Sequence, residues 1–132
     1  INMDPKVWGP NAWIFLHSIT MNYPKNPTNE DKEKYRTFFY SLGDILPCPQ
    51  CKEHYQRNLI DYPIDLRNKE SLVKWLIKIH NNVNEINGKP ILLYDDVIDS
   101  YRELYYRSPY EKTLHIIFII IIIILLVIYF LK

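Results

Sequence analysis

The chain has 132 residues, a net charge of +1, 48% hydrophobic residues and two cysteines. That length fits one domain. A near-neutral balance with no basic run excludes an electrostatic nucleic-acid binder. Three glycines, with no G-x-G or Walker-type loop, exclude the usual phosphate cradles.

Residues 1–9 read as a short irregular lead. Gly9-Pro10 marks a helix start with Pro10 at its first position. Ala12 to Met21 continues it, with Trp13, Leu16, His17 and Thr20 on one face by three-and-four spacing. Tyr23-Pro24 ends it. Thr28, with Asp31 three residues on, predicts a variant capping box. The second helix then carries Tyr35, Phe38, Phe39, Leu42, Ile45 and Leu46 as an apolar stripe.

Pro47-Cys48-Pro49-Gln50-Cys51-Lys52-Glu53-His54 holds both cysteines. Cys48 precedes a proline and is biased away from helical geometry, while Pro49 suits a first helical position. Cys48 is therefore expected as an N-cap, with Cys51 in the first turn of a helix running to about Ile60. The free N–H groups and dipole of that helix end favour a thiolate, the reactive form of cysteine. Three readings of the pair are open: buried inert thiols, half of a zinc site completed by His54 and His80, or a redox dithiol that opens and closes a disulfide.

Asp61 to Arg67 reads as a connection. Asn68 caps a long helix whose stripe is Leu72, Leu76, Ile79, Val83 and Ile86, stopped by Asn87-Gly88. Pro90 to Leu93 is a short extended piece, and a last helix runs from about Tyr94 to Tyr106. His80, Asn81 and Asn84 interrupt the middle of the long helix. Asparagine is a mediocre helix former, so this run is either a solvated face or a polar site for a ligand, with Trp8, Trp13, His17 and Tyr101 as flat stacking surfaces.

Ile116 to Leu131 is unbroken apolar sequence. Leu114 and His115 extend it to a length that crosses a bilayer, given the ~20 residues needed for a ~30 Å hydrocarbon core. The expectation is a single-pass C-terminal membrane anchor over 114–131, with no secretory signal at the N-terminus. Arg102, Arg107 and Lys112 precede the span and only Lys132 follows, which favours a cytosolic domain. The domains expected are 1–109, the soluble domain, and 110–132, the anchor. The soluble part reads as an all-α bundle of five helices. A thioredoxin-like fold does not fit, because the cysteines sit between two helices and not between a strand and a helix.

Trp8-Gly9-x-x-x-Trp13-x-x-Leu16-His17, Tyr23-Pro24, Cys48-x-x-Cys51-x-x-His54, His80-Asn81-x-Val83-Asn84 and Gly88-Lys89-Pro90 follow one another in that order. Over about residues 5–103 the chain resembles the Erv/ALR flavin-linked sulfhydryl oxidases, and is most similar to members encoded by large DNA viruses. The resemblance implies a four-helix bundle with a short fifth helix, followed here by the transmembrane helix, with FAD at the mouth of the bundle. It implies that Gly9, Trp13, His17, His54, His80, Asn81, Asn84, Lys89 and Tyr101 surround FAD. Lys89 would reach the phosphates, and Tyr101 would stand where relatives often stack a tryptophan.

The resemblance implies further that Cys48 and Cys51 are catalytic and that no metal is used. A substrate thiolate would attack Cys48, Cys51 would pass electrons to the flavin, and O2 would become H2O2. Ile77 and Tyr94 stand where many relatives place a structural disulfide. With no second C-x-x-C, a protein thiol substrate or a separate dithiol carrier protein must come to Cys48 directly. A homodimer, host cytoplasm or a virion membrane, and a viral disulfide-forming pathway complete what the resemblance implies. The alternative is a tail-anchored zinc-binding or structural adaptor.

Overall fold

The computed structural model describes residues 3–106 and 111–130. Within them the chain forms six helices and no strand: α1 Pro5–Met21, α2 Asn29–Ile45, α3 Pro49–Asp61, α4 Lys69–Ile86, α5 Tyr94–Tyr106 and α6 Glu111–Phe130. The all-helical expectation is met. The chain divides into two compact units, Ile1–Asp96 and Val97–Lys132, and the domain boundary expected at 109/110 falls outside the described residues.

Local signals account for most helix ends. The Thr28 hydroxyl accepts from the Asp31 N–H while the Asp31 carboxylate accepts from the Thr28 N–H, closing the expected capping box on α2. Asn68 Oδ1 accepts from the Ser71 N–H at 2.9 Å and caps α4. Past the other end of α4, Gly88 adopts φ +62°, a left-handed conformation that glycine takes without a side-chain penalty.

The start of α1 corrects the sequence reading. Asp4 accepts from the Lys6 N–H at 2.9 Å and Pro5 takes the first turn, so the helix begins well before Pro10 and contains it. Asp-Pro supplies a cap and a preset φ together, and this pair outweighs the one backbone bond that Pro10 cannot make.

In the first unit α4 packs against α1 and α3, and α3 packs against α2. Leu72, Leu76 and Ile79 of α4 are fully buried, as are Phe39 of α2 and Tyr23 after α1. Phe39 meets Trp75 edge-on at 5.0 Å between ring centroids. Two polar tips inside the core find backbone partners: Trp75 Nε1 donates to the Tyr62 carbonyl at 2.9 Å, and the Tyr23 hydroxyl donates to the Leu66 carbonyl at 3.0 Å. Ile45 and Ile86, read as core, are exposed. Each is the last residue of its helix, beyond the packed middle.

The tail departs from expectation as well. Among the described residues no helix is long and apolar enough to cross a membrane. The described apolar run over 116–130 is fifteen residues. Leu131, which the expected span included, lies outside the described residues.

Candidate functional site

Three groups of residues singled out from sequence take definite positions in the first unit. The first is the cysteine pair. Cys48 has extended backbone angles and caps α3, its sulfur accepting from the Cys51 N–H at 3.2 Å, and Pro49 occupies the first turn. This is the expected N-cap arrangement. The two cysteines form a disulfide with Cα atoms 5.1 Å apart, inside the normal range for such a bridge. Both are half-buried. Among the described residues no three His, Cys, Asp or Glu groups gather as a metal site, so the zinc arrangement of Cys48, Cys51, His54 and His80 is not assembled.

The second group is carried by α1 and α4. One turn apart on α1, Trp13 and His17 face His80 of α4. The Trp13 and His80 rings stack with centroids 3.8 Å apart and planes 7° apart. His17 Nε2 lies 3.1 Å from His80 Nδ1, so one ring donates and the other accepts. Burial holds the His17 pKa down to about 4. Burial also lowers His80, to about 3, helped by the neighbouring His17 and Lys89. Both imidazoles are therefore neutral at physiological pH. They can exchange hydrogen bonds with a heteroaromatic ligand without adding charge to a dry site.

The third group is a clasp. The Asn81 amide donates to the Leu92 carbonyl at 2.9 Å and accepts from the Leu92 N–H at 2.8 Å, as a neighbouring strand would. Asn84, buried, donates to the Pro90 carbonyl at 3.1 Å, and its own carbonyl accepts from the Lys89 N–H at 2.8 Å. The two asparagines thus hold the 88–92 connection against α4 and fix where Lys89 leaves it. The solvated-face reading of this run does not hold. The amide groups that the resemblance assigned to a cofactor are engaged with the backbone of this connection.

The other assigned residues are more scattered. Gly9 lies on α1, and an added Cβ there would meet nothing within 4 Å, leaving room for a close ligand approach. His54 is half-buried on α3, one turn past Cys51. Tyr101 belongs to the second unit, where its ring lies 6.4 Å from that of Tyr105. Since α4 packs on both α1 and α3, it is the wall shared by the imidazole cluster and the disulfide helix. A flat ring face, neutral ring nitrogens, an open glycine edge and a nearby lysine suit a planar heteroaromatic group with an anionic tail.

Two residues of consequence were not marked by sequence. The Tyr55 hydroxyl donates to the Phe39 carbonyl at 3.0 Å, and Gln56 Nε2 donates to the Gly43 carbonyl at 3.0 Å. Both tie the cysteine helix to the end of α2. Their partners are backbone carbonyls, which no side-chain pattern reveals.

Comparison with known proteins gives a consistent result. The Erv1/Alr family model matches residues 10–102. A probable FAD-linked sulfhydryl oxidase of Acanthamoeba polyphaga mimivirus is 45% identical over 101 residues, covering 74% of this chain and 71% of that protein. An FAD-linked sulfhydryl oxidase of African swine fever virus is 33% identical, covering 76% of this chain and 82% of that protein. The mitochondrial FAD-linked sulfhydryl oxidase of Schizosaccharomyces pombe is 36% identical over 63% of this chain, and the match spans only 47% of that longer protein. Among solved structures, the FAD-binding domain of Erv1 from Saccharomyces cerevisiae superposes with a TM-score of 0.67 at 28% identity, over 69% of this chain and 87% of that one.

Proposed function

The chain belongs to the Erv1/Alr family, and on that premise we propose that it is an FAD-linked thiol oxidase that forms disulfide bonds in protein substrates. The observation that carries the reading is the Cys48–Cys51 disulfide at the start of α3. It shares a compact unit with a stacked tryptophan–imidazole face.

The chemistry of the chain's own groups follows from that placement. A substrate thiolate attacks one sulfur of the disulfide; the bond between Cys48 and Cys51 breaks and a mixed disulfide forms. The departing sulfur leaves as a thiolate, which the N-terminus of α3 stabilises through its free N–H groups and dipole. A second substrate thiolate then displaces the enzyme sulfur, so the substrate leaves as a disulfide and the enzyme holds a dithiol. FAD, when bound, would supply the acceptor for that electron pair and its transfer to O2, giving H2O2.

Trp13, His17 and His80 would hold the flat ring, with Gly9 open beside it. Lys89, placed by Asn81 and Asn84, would meet the phosphates. The chain purified in detergent should be yellow, with absorbance near about 450 nm that persists through gel filtration and bleaches on adding dithiothreitol under nitrogen. A colourless protein that takes up no FAD would refute the oxidase reading.

We propose also that α6 holds the enzyme at a membrane, with the catalytic unit on the cytosolic side, in a viral disulfide-forming pathway. Its side chains over 116–130 are 41–80% exposed in the isolated chain, and no polar face is present to meet water. The mimivirus and African swine fever virus relatives support the viral setting. Expressed in full, the chain should sediment with membranes and stay there in alkaline carbonate. Its release into the alkaline supernatant would remove the anchor from the proposal.

A further inference from the structure

Only three residues, Leu46, Pro47 and Cys48, join the end of α2 to the start of α3. With so short a connection, the backbone position of Cys48 follows directly from how those two helix ends are held. Gln56 holds them. Its side-chain amide donates to the Gly43 carbonyl at 3.0 Å and to Asp44 Oδ1 at 3.2 Å, both in the last turn of α2. Helix-end carbonyls lack intrahelical partners, so this side chain supplies one that the helix cannot.

The contact is closely fitted. A Cβ added at Gly43 would stand 3.0 Å from Gln56 Cγ and 3.7 Å from Tyr55 Cδ1. The neighbouring Tyr55 hydroxyl donates to the Phe39 carbonyl one turn further back. Cys51 lies one turn before Tyr55 on α3, so the ties and the disulfide close opposite ends of the same small ring of chain.

From this geometry we infer that Gln56 is a positioning residue for the dithiol: by clamping α2 to α3 it keeps the two sulfurs within bonding reach in the reduced state. The inference rests on the oxidase reading for its functional meaning. Its physical basis is loop freedom. Closing a disulfide costs the conformational freedom that the open dithiol has, and a clamp across the connection removes part of that freedom beforehand. The clamped dithiol therefore has a higher effective concentration of one thiol at the other. It closes more readily and is the better electron donor.

The test is the equilibrium of the full chain with glutathione buffers. Enzyme disulfide and two reduced glutathiones exchange with enzyme dithiol and one oxidised glutathione, read by alkylation and mass spectrometry of Cys48 and Cys51. Gln56→Met keeps the side-chain length and removes the donor. It should favour the dithiol about tenfold, which is about 30 mV for a two-electron couple. Gly43→Ala, which pushes Gln56 off its carbonyl, should shift the balance the same way. Arg57→Met removes an exposed pair with Glu53 on the same helix and should leave it unchanged. A Gln56→Met equilibrium within twofold of the parent would overturn the inference, and so would an equal shift in Arg57→Met. Glutathione acts on the sulfurs directly, so the result can be read even if the protein binds no flavin, an outcome that would count against the oxidase reading alone.

Discussion

Replacing either Cys48 or Cys51 by serine is expected to abolish thiol-dependent oxygen consumption while the bound flavin spectrum persists. The loss should be roughly 10³-fold or more, the scale seen when a group that forms a covalent intermediate is removed. Each variant lacks the disulfide that substrate attacks, but the remaining thiol at the start of α3 keeps its place near the helix dipole. With a chromogenic disulfide, both single variants should still form one mixed disulfide per chain, and neither should turn over. Serine is close in size to cysteine and the imidazole cluster sits on other helices, so flavin retention is expected in both. Oxygen consumption at even a tenth of the parent rate in either variant would remove the pair from the catalytic role.

The second large effect is on stability in acid. His17 and His80 have folded-state pKa values of about 4 and about 3, below the ordinary value of 6.5. Above pH 6.5 both the folded and unfolded chains hold these rings neutral, and the stability of the buried pair is fully present. Between pH 6.5 and about 4 the unfolded chain binds protons that the folded chain refuses, so stability falls as pH falls. At about 1.4 kcal/mol for each tenfold in proton affinity, His17 alone accounts for a loss of roughly 3 kcal/mol by pH 4. Denaturant midpoints measured from pH 7 to pH 4 should show this loss. The double variant His17→Gln with His80→Gln should lose much less over the same range, since carboxylate titration is common to both proteins. An identical pH slope in the two would show that the imidazoles are not buried neutral.

How much of this could be read in advance depended on the range of the interaction. Capping depends on residues three apart, so Thr28, Cys48 and Asn68 were legible as caps, and the structure has all three. Burial in the middle of α4 follows from a repeat of three and four, and Leu72, Leu76 and Ile79 are buried accordingly. The repeat fails at helix ends. It marks a face of the helix without saying how far the neighbouring helices reach, so Ile45 and Ile86 were misread. The start of α1 was misread because two prolines, Pro5 and Pro10, competed for one role, and the Asp4 cap decided it.

The candidate site divides in the same way. That a proline-flanked cysteine pair would open a helix, with one sulfur capping it, is written in eight consecutive residues, because backbone restriction by proline acts only on its neighbours. That Trp13 would lie flat on His80, with His17 beside them in hydrogen-bond reach of His80, requires α1 to pack against α4, sixty-odd residues away. The asparagines show the limit most clearly. Their composition marked them as chosen for something other than helix stability. Whether they face water, a ligand or the chain itself was settled by the return of the 88–92 segment along α4, where Asn81 pairs with the Leu92 backbone. Local sequence thus determined most of the helices, three of their caps and the place of the sulfur pair at a helix start. Packing alone decided which polar groups meet, because those meetings depend on partners distant in the chain and often on carbonyls that every residue carries.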